Sequence, residues 1–462
     1  MAEVYKKILV ADGLTPVSAY SALRGKAPGG SFLLESVVGG ERWARYSILG
    51  YRPQSQITLR GEPGLDSFEQ LSKLLPTGGE DSSDPAERFA RAHIGLLCFE
   101  MVHFSTKVPR WPDNEQGPIA RLLGECTVVI FDHLSKEVTI ASTEKSHVGE
   151  CVELLRQAPT IPLIESPDAG AMPDDISISM SDEKYSEAVE KCREYIRAGD
   201  AFQIVPARTF SVPTLGTDAF EVYRSLRVLS PAPYMYFLDL PAHEGAEALC
   251  IAGASPETLV KVEDGSVFLR PIAGTRRRGK NPEEDRALAE EMISDPKELA
   301  EHVMLIDLAR NDIGRIAKTG TVQVPKKMFV ERYSHVMHIT SEVQGEVNES
   351  KGPWDVLRAT FPAGTLSGAP KVRAMQIIRE LEARPRGVYG GAIGYVTRGH
   401  DLDLAIGIRT VVMQNGRFEV TAGAGVVADS NPALECKETN HKARAALAAV
   451  HAARERHLTQ NK

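Results

Sequence analysis

Four glutamates in two pairs carry the first chemical signal in this chain. Glu435 and Glu438 lie three positions apart and Lys442 follows four later, so a helix there puts two carboxylates and an ammonium on one stripe. Glu298 and Glu301 repeat the three-residue spacing far upstream. One such pair is ordinary solvated surface, and Glu438–Lys442 can be an ordinary i,i+4 ion pair. Two pairs facing each other across a cleft could instead hold a hard divalent cation such as Mg²⁺ through oxygen ligands and water. Gly423 and Gly425, just upstream of the second pair, would let a carboxylate ligand come close to backbone amides.

Other groups are more ambiguous. Gly364-Thr-Leu-Ser-Gly-Ala-Pro-Lys371 invites comparison with a phosphate-binding loop and fails it. Three residues separate its glycines and no Ser or Thr follows Lys371, whereas the loop needs four and a hydroxyl. It still leads into a helix with Pro370 near the start, an end that attracts anions, and Thr365 offers a hydroxyl donor. His335 and His338 are each either an acid–base group or a satisfied structural histidine. If residues 403–409 run as one alternating strand, Arg409 at its end can fork onto a carboxylate.

These groups need elements to hold them. Asn431 can cap a helix opening at Pro432, which would carry Glu435, Glu438 and Lys442. Residues 295–309 read as a helix with Pro296 near its start, carrying Glu298 and Glu301. Ser181 should cap another helix to Ala198, with Gly199 as its stop, followed by a strand at 202–205 and a helix at 217–229. Apolar runs at 31–36, 45–50, 94–99, 126–132 and 137–141 read as strands, and 389–395 as a glycine-punctuated one. Glu35, among leucines, either sits in water on an edge strand or is buried and paired. Asp264-Gly265 and Asn415-Gly416, each flanked by strand-like residues, are strong hairpin signals. Hairpins demand antiparallel sheet, so the reading is α+β with large antiparallel sheets.

The bulk composition narrows the class. The 462 residues are 42% hydrophobic and 25% charged, which is ordinary for a soluble globular protein with a large core. A formal net charge of −8 argues against a nucleic-acid surface. Six cysteines form no C-x-x-C pair, so reduced thiols and a cytoplasmic location are expected. No apolar run is long enough to span a membrane, and residues 1–12 lack a signal peptide's apolar region. Pro, Gly, Ser and Asp crowd residues 158–175, which read as a linker or crossover.

Several motifs together resemble the chorismate-utilising enzymes over roughly residues 180–450. They are Pro271-Ile-Ala-Gly-Thr275, the segment from Asp307 to Gly314, Tyr333-Ser-His-Val-Met-His338, the segment from Phe361 to Lys371, and Glu435-Cys-Lys-Glu-Thr439. Leu33-Leu-Glu-Ser36 and Pro233-Tyr-Met-Tyr236 resemble the anthranilate synthase large-subunit branch in particular. The resemblance implies two large facing antiparallel β-sheets with helices on the outside. It also implies a division into 1–157, contributing an effector site, a linker at 158–180, a chorismate-binding catalytic region at 181–450 and a tail at 451–462.

Two positions bear on the reaction. Relatives that add water carry a Lys where this chain has Gln203, and Gln cannot act as the base that activates water. Aminodeoxychorismate synthases carry a nucleophilic Lys where this chain has Ala273. Both point to addition of ammonia at C2 of chorismate, followed by loss of pyruvate.

By resemblance, Glu301 and Glu438 ligate Mg²⁺, and Glu298 and Glu435 hold its waters. Lys442 and the amides near Gly423 and Gly425 take the ring carboxylate, while Arg409 and Tyr389 take the enolpyruvyl carboxylate. Glu257 is the general acid, and His338, Thr365, Gly274 and Thr275 serve the ring pocket, His338 chiefly in losing pyruvate. Tryptophan, as feedback inhibitor, would bind between Leu34, Glu35 and Ser36 on one side and Ser230, Pro233, Tyr234 and Met235 on the other. Ser230 stands where that branch usually has Asn. No nucleophilic-cysteine module follows residue 450, so ammonia is expected from solution or from a glutamine amidotransferase subunit, in a heterotetramer. The alternatives are an aminodeoxyisochorismate synthase, an aminodeoxychorismate synthase component I and a non-catalytic homologue.

Overall fold

The computed structural model describes residues 3–36, 45–75, 82–112, 116–158, 160–333 and 336–460. His335 lies outside them. Among the described residues an eleven-stranded and a ten-stranded sheet stack face to face, every strand pairing antiparallel. The two hairpin turns form where expected. Asp264 and Gly265 have φ of 49° and 74°, and Asn415 and Gly416 have 50° and 70°, so each pair is left-handed twice in succession, as a type I′ turn requires.

Three apolar layers hold the sandwich together. Phe32, Tyr236 and Ile251 of the first sheet meet Ile94, Leu96 and Ile393 of the second between the sheets. Helices Pro16–Leu23, Lys145–Arg156, Ala219–Leu229 and Pro432–Gln460 cover the first sheet's outer face, and Pro296–Gly314 and Pro353–Thr360 cover the second's. Two facing sheets with helices outside are therefore what the chain adopts.

Three details differ from the expectations, and the alternative left open for Glu35 is decided. Strands from residues 1–157 are built into both sheets beside those of 181–450, so the two regions share one core. The boundary expected at 450/451 falls inside the helix Pro432–Gln460, whose small residues Ala446, Ala449 and Ala453 are buried against the sheet. Strand Ser31–Glu35 lies between Tyr46–Tyr51 and Tyr234–Leu240, so Glu35 is interior and not at an edge. The strand expected over 403–409 ends at Ile406, and the one expected over 389–395 begins only at Ala392. The first ends where the chain crosses to the other sheet; the second starts late because Gly390, at φ 73°, turns the chain and its N–H donates to the Gly407 carbonyl at 2.9 Å.

Candidate active site

Both acid pairs line a single cavity of about 670 Å³. Glu298 and Glu301 come from the helix Pro296–Gly314, whose Asp295 side chain accepts the Lys297 N–H as its cap. Glu435 and Glu438 come from Pro432–Gln460, where Asn431 Oδ1 accepts the Ala433 and Leu434 N–H groups. Gln203 Nε2 donates to Glu301 at 3.0 Å. Burial raises the Glu301 carboxyl above its ordinary pKa, the Gln203 bond opposes that, and the like charge of Glu298 adds to it. Burial likewise raises Glu435, with Ser430 opposing and Glu438 adding.

The donor set is all oxygen and four carboxylates strong, which suits Mg²⁺. In this conformation the carboxylates are not gathered. Glu298 pairs with Arg276 at 3.1 Å and Glu438 with Lys442 at 2.7 Å. No three His, Cys, Asp or Glu side chains among the described residues converge closely enough to hold an ion. The residues fit the cation in type and placement, and holding it requires Glu298 and Glu438 to turn from their partners.

The opposite wall is made by two chain crossovers between the sheets. The first strand–strand link is Pro256 and Glu257, from Leu249–Ser255 in one sheet to Thr258–Glu263 in the other. The second runs back through Gly407, Ile408 and Arg409, from Leu402–Ile406 to Thr410–Gln414. They are laced together: the Ile406 N–H donates to the Glu257 carbonyl at 3.0 Å, and the Ala254 N–H to that of Arg409 at 3.2 Å. Thr365 Oγ1 donates to Glu257 Oε1 at 2.9 Å. Burial pushes the Glu257 carboxyl up to about 7, with Thr365 and Lys442 pulling the other way. Arg409 has φ of 51°, and the turn aims it instead of a strand end. Burial lowers its pKa, and its guanidinium makes no hydrogen bond or ion pair with a described residue. A desolvated, unpaired guanidinium is an anion site.

His338 is held in the cavity with Nδ1 3.0 Å from the Gly274 carbonyl and 3.1 Å from Thr275 Oγ1. Burial lowers its pKa below the ordinary value, so the ring is neutral near pH 7. Nδ1–H then donates to Gly274 and Nε2 is left basic. The glycines matter at two places. A Cβ at Gly423 would stand 2.7 Å from both the Pro206 carbonyl and Tyr389 Oη, and one at Gly425 would stand 2.8 Å from Gln203 Nε2.

Sequence reasoning missed the groups that hold this wall in place. Arg208, fully buried, bonds Thr439 Oγ1 at 2.9 Å, Asn440 Oδ1 at 3.1 Å and Asp182 Oδ1 at 2.6 Å, tying the helix of Glu435 and Glu438 to the sheet. Arg386 donates to Glu382, the Leu366 carbonyl and the Val205 carbonyl behind Tyr389. Glu100 accepts the Arg386 and Gly387 N–H groups. The signal was available, since a lone Arg in the apolar run Ala207–Pro213 implies buried partners. Lys371, weighed for an anion, is committed to Asp312 at 2.6 Å.

The residues expected around tryptophan fall on adjoining strands but not on one face. Met235 is in register with Glu35 and Tyr236 with Leu34. Glu35 is buried, accepting from Tyr223 Oη at 2.7 Å and Arg227 at 2.9 Å, and Met235 packs in the helix-covered layer. Leu34 and Tyr234 instead pack between the sheets. Ser36 Oγ is buried without a partner. Ser230 closes the helix Ala219–Leu229, its N–H on the Leu226 carbonyl at 2.8 Å, and Pro233 directly precedes the strand Tyr234–Leu240.

Comparison with known proteins adds to this geometry. Residues 35–448 match the chorismate binding enzyme family. Anthranilate synthase component 1 from Acetivibrio thermocellus is 39% identical, over 96% of this chain and 94% of that protein. Its counterpart from Pseudomonas aeruginosa is 41% identical, over 96% and 94%. The crystal structure of anthranilate synthase component I from Streptococcus pneumoniae superposes with a TM-score of 0.75 at 36% identity, covering 96% of this chain and 99% of that one. The menaquinone-specific isochorismate synthase of Escherichia coli shares the fold at 16% identity, with a TM-score of 0.74 over 97% and 95%.

Proposed function

Since the chain belongs to the chorismate binding enzymes, we propose that it converts chorismate and ammonia to anthranilate and pyruvate, as the component I of an anthranilate synthase. One observation carries the reading: four carboxylates, Lys442, Arg409 and the raised-pKa carboxyl of Glu257 line a single cavity. That suits a dianion whose hydroxyl must leave as water.

In this reading Arg409 and Tyr389 orient the enolpyruvyl carboxylate, and Lys442 with the amides near Gly423 and Gly425 takes the ring carboxylate. Glu301 and Glu438 would hold Mg²⁺ directly, and Glu298 and Glu435 through water. When bound, that ion supplies positive charge which lets a carboxylate rest among acidic side chains. Glu257, whose raised pKa of about 7 keeps a large protonated fraction near neutral pH, gives its proton to the departing C4 hydroxyl, while ammonia forms the bond to C2. Gln203, a neutral amide held against Glu301, offers no base for water, so the amine nucleophile is favoured. Nε2 of His338 takes the ring proton as the enolpyruvyl group leaves. Gly274 and Thr275 fix that imidazole. Glutamine-derived ammonia would come from an amidotransferase subunit, and tryptophan would inhibit through the Glu35 and Met235 strands.

Purified chain supplied with chorismate, Mg²⁺ and an ammonium salt should form anthranilate and pyruvate in equal amounts, and chelation should stop it. Aminodeoxyisochorismate without pyruvate would identify the amination-only reading instead. Turnover with glutamine alone would show that no partner is needed.

A further inference from the structure

Tyr234 is placed to do more than its strand suggests. It opens the strand Tyr234–Leu240 in the first sheet, in register with Ser255, the last residue before the Glu257 crossover. Its hydroxyl leaves that sheet. It lies 2.8 Å from Asp403 Oδ1 and 2.9 Å from Thr258 Oγ1, both on the second sheet. Thr258 directly follows Glu257, and Asp403 lies on the strand that leads into the Arg409 crossover. One phenol oxygen therefore bridges the sheets beside the Glu257 crossover.

We propose that Tyr234 is a positioning residue for the reaction: by gripping Thr258 and Asp403 across the inter-sheet gap, it fixes the crossover that carries Glu257. The proposal rests on the acid role given to Glu257. Three features support the grip. The phenol donates to Asp403 and accepts from Thr258, so both polar ends are satisfied. The contact is part-buried, and an unmade hydrogen bond away from bulk water is costly. Ser255 Oγ, on Tyr234's register partner, also lies 3.4 Å from the Glu257 N–H, so the crossover is braced from both sheets. Burial pushes the Asp403 carboxyl up to about 6, with Lys261 and the Tyr234 bond pulling down and Glu263 pushing up. Tyr395 stands beside it on the neighbouring strand. Glu257 itself faces Thr365 and Lys442. If the crossover slackens, the Thr365 bond that holds Glu257 down is weakened and its pKa rises.

The test compares Tyr234→Phe, which keeps the ring, with Tyr20→Phe. The latter deletes a fully buried phenol bond, to Ser31 Oγ at 2.7 Å, away from the crossovers. Titration of Glu257 is followed by the infrared carbonyl band that Glu257→Gln removes, which needs no turnover. Tyr234→Phe should raise the midpoint by roughly half a unit and lower kcat about tenfold, equivalent to ~1.4 kcal/mol. Tyr20→Phe should move neither. Asp403→Asn keeps an acceptor and should retain the natural midpoint. An unshifted midpoint in Tyr234→Phe, or an equal shift in Tyr20→Phe, overturns the proposal. A shifted midpoint in a chain that makes no anthranilate upholds the strut and sinks the acid role instead.

Discussion

At the scale of single residues the decisive group is Glu257. Its carboxyl titrates at about 7 because burial outweighs the Thr365 hydrogen bond and the Lys442 charge. An acid must be protonated to act, so kcat/KM measured at a fixed concentration of free NH₃ should fall as pH rises through about 7. Thr365→Val removes the bond that favours the ionised form and should move that limb to higher pH. Glu257→Gln should cut kcat by about 10²–10⁴ and abolish the limb. A limb that persists unchanged in Glu257→Gln would assign the titration to another group.

At the scale of elements, the helix that carries Glu435 and Glu438 depends on an anchor outside the cavity. The helix Pro432–Gln460 is long and its buried face is mostly alanine, so it offers little side-chain volume to fix its rotation. Arg208 supplies what alanine cannot: two directional bonds to that helix and one to Asp182, which opens the neighbouring helix Asp182–Arg197. Arg208→Met should leave the buried Thr439 hydroxyl and the half-buried Asn440 side-chain carbonyl without their donor, cost about 1–3 kcal/mol and lower the melting temperature. Glu435 and Glu438 ride on the same helix, so the Mg²⁺ concentration for half-maximal activity should rise with it. An unchanged melting curve would show that Arg208 is not the anchor.

At the scale of the whole molecule, the strands proposed to hold the inhibitor share one sheet with the strand that leads into the Glu257 crossover. Met235 pairs with Glu35, and the preceding residue, Tyr234, bonds Thr258 beside the Glu257 crossover. A ligand wedged at the Glu35 strand therefore bears on the strand that braces Glu257. The branch that this chain resembles carries Asn at the position of Ser230, and a Ser hydroxyl has a shorter reach and no separate amide donor. Ser230→Asn should tighten tryptophan inhibition of the ammonia-dependent reaction roughly two- to tenfold, the worth of one neutral hydrogen bond. If tryptophan inhibits neither form, the effector site is absent. If Ser230→Asn leaves inhibition unchanged, Ser230 is not its weak point.

What the sequence by itself determined is what short-range physics controls. Asp264-Gly265 and Asn415-Gly416 specify their hairpins because few other residue pairs tolerate two left-handed positions in a row. Asn431, Ser181 and Asp295 specify helix starts because a cap bonds only its own first turn. The acid spacing, set by the helical repeat, already put each pair on one stripe. Tertiary structure alone decided the rest. That Glu35 is buried follows from strand pairing with Met235 and an ion pair to Arg227, a residue 192 positions away. That Arg409 is aimed by a left-handed turn follows from the need to pass between sheets whose separation no local pattern encodes. That residues 1–157 have no core of their own follows from strand order, because pairing partners distant in the chain are chosen by global packing and leave no periodicity to read.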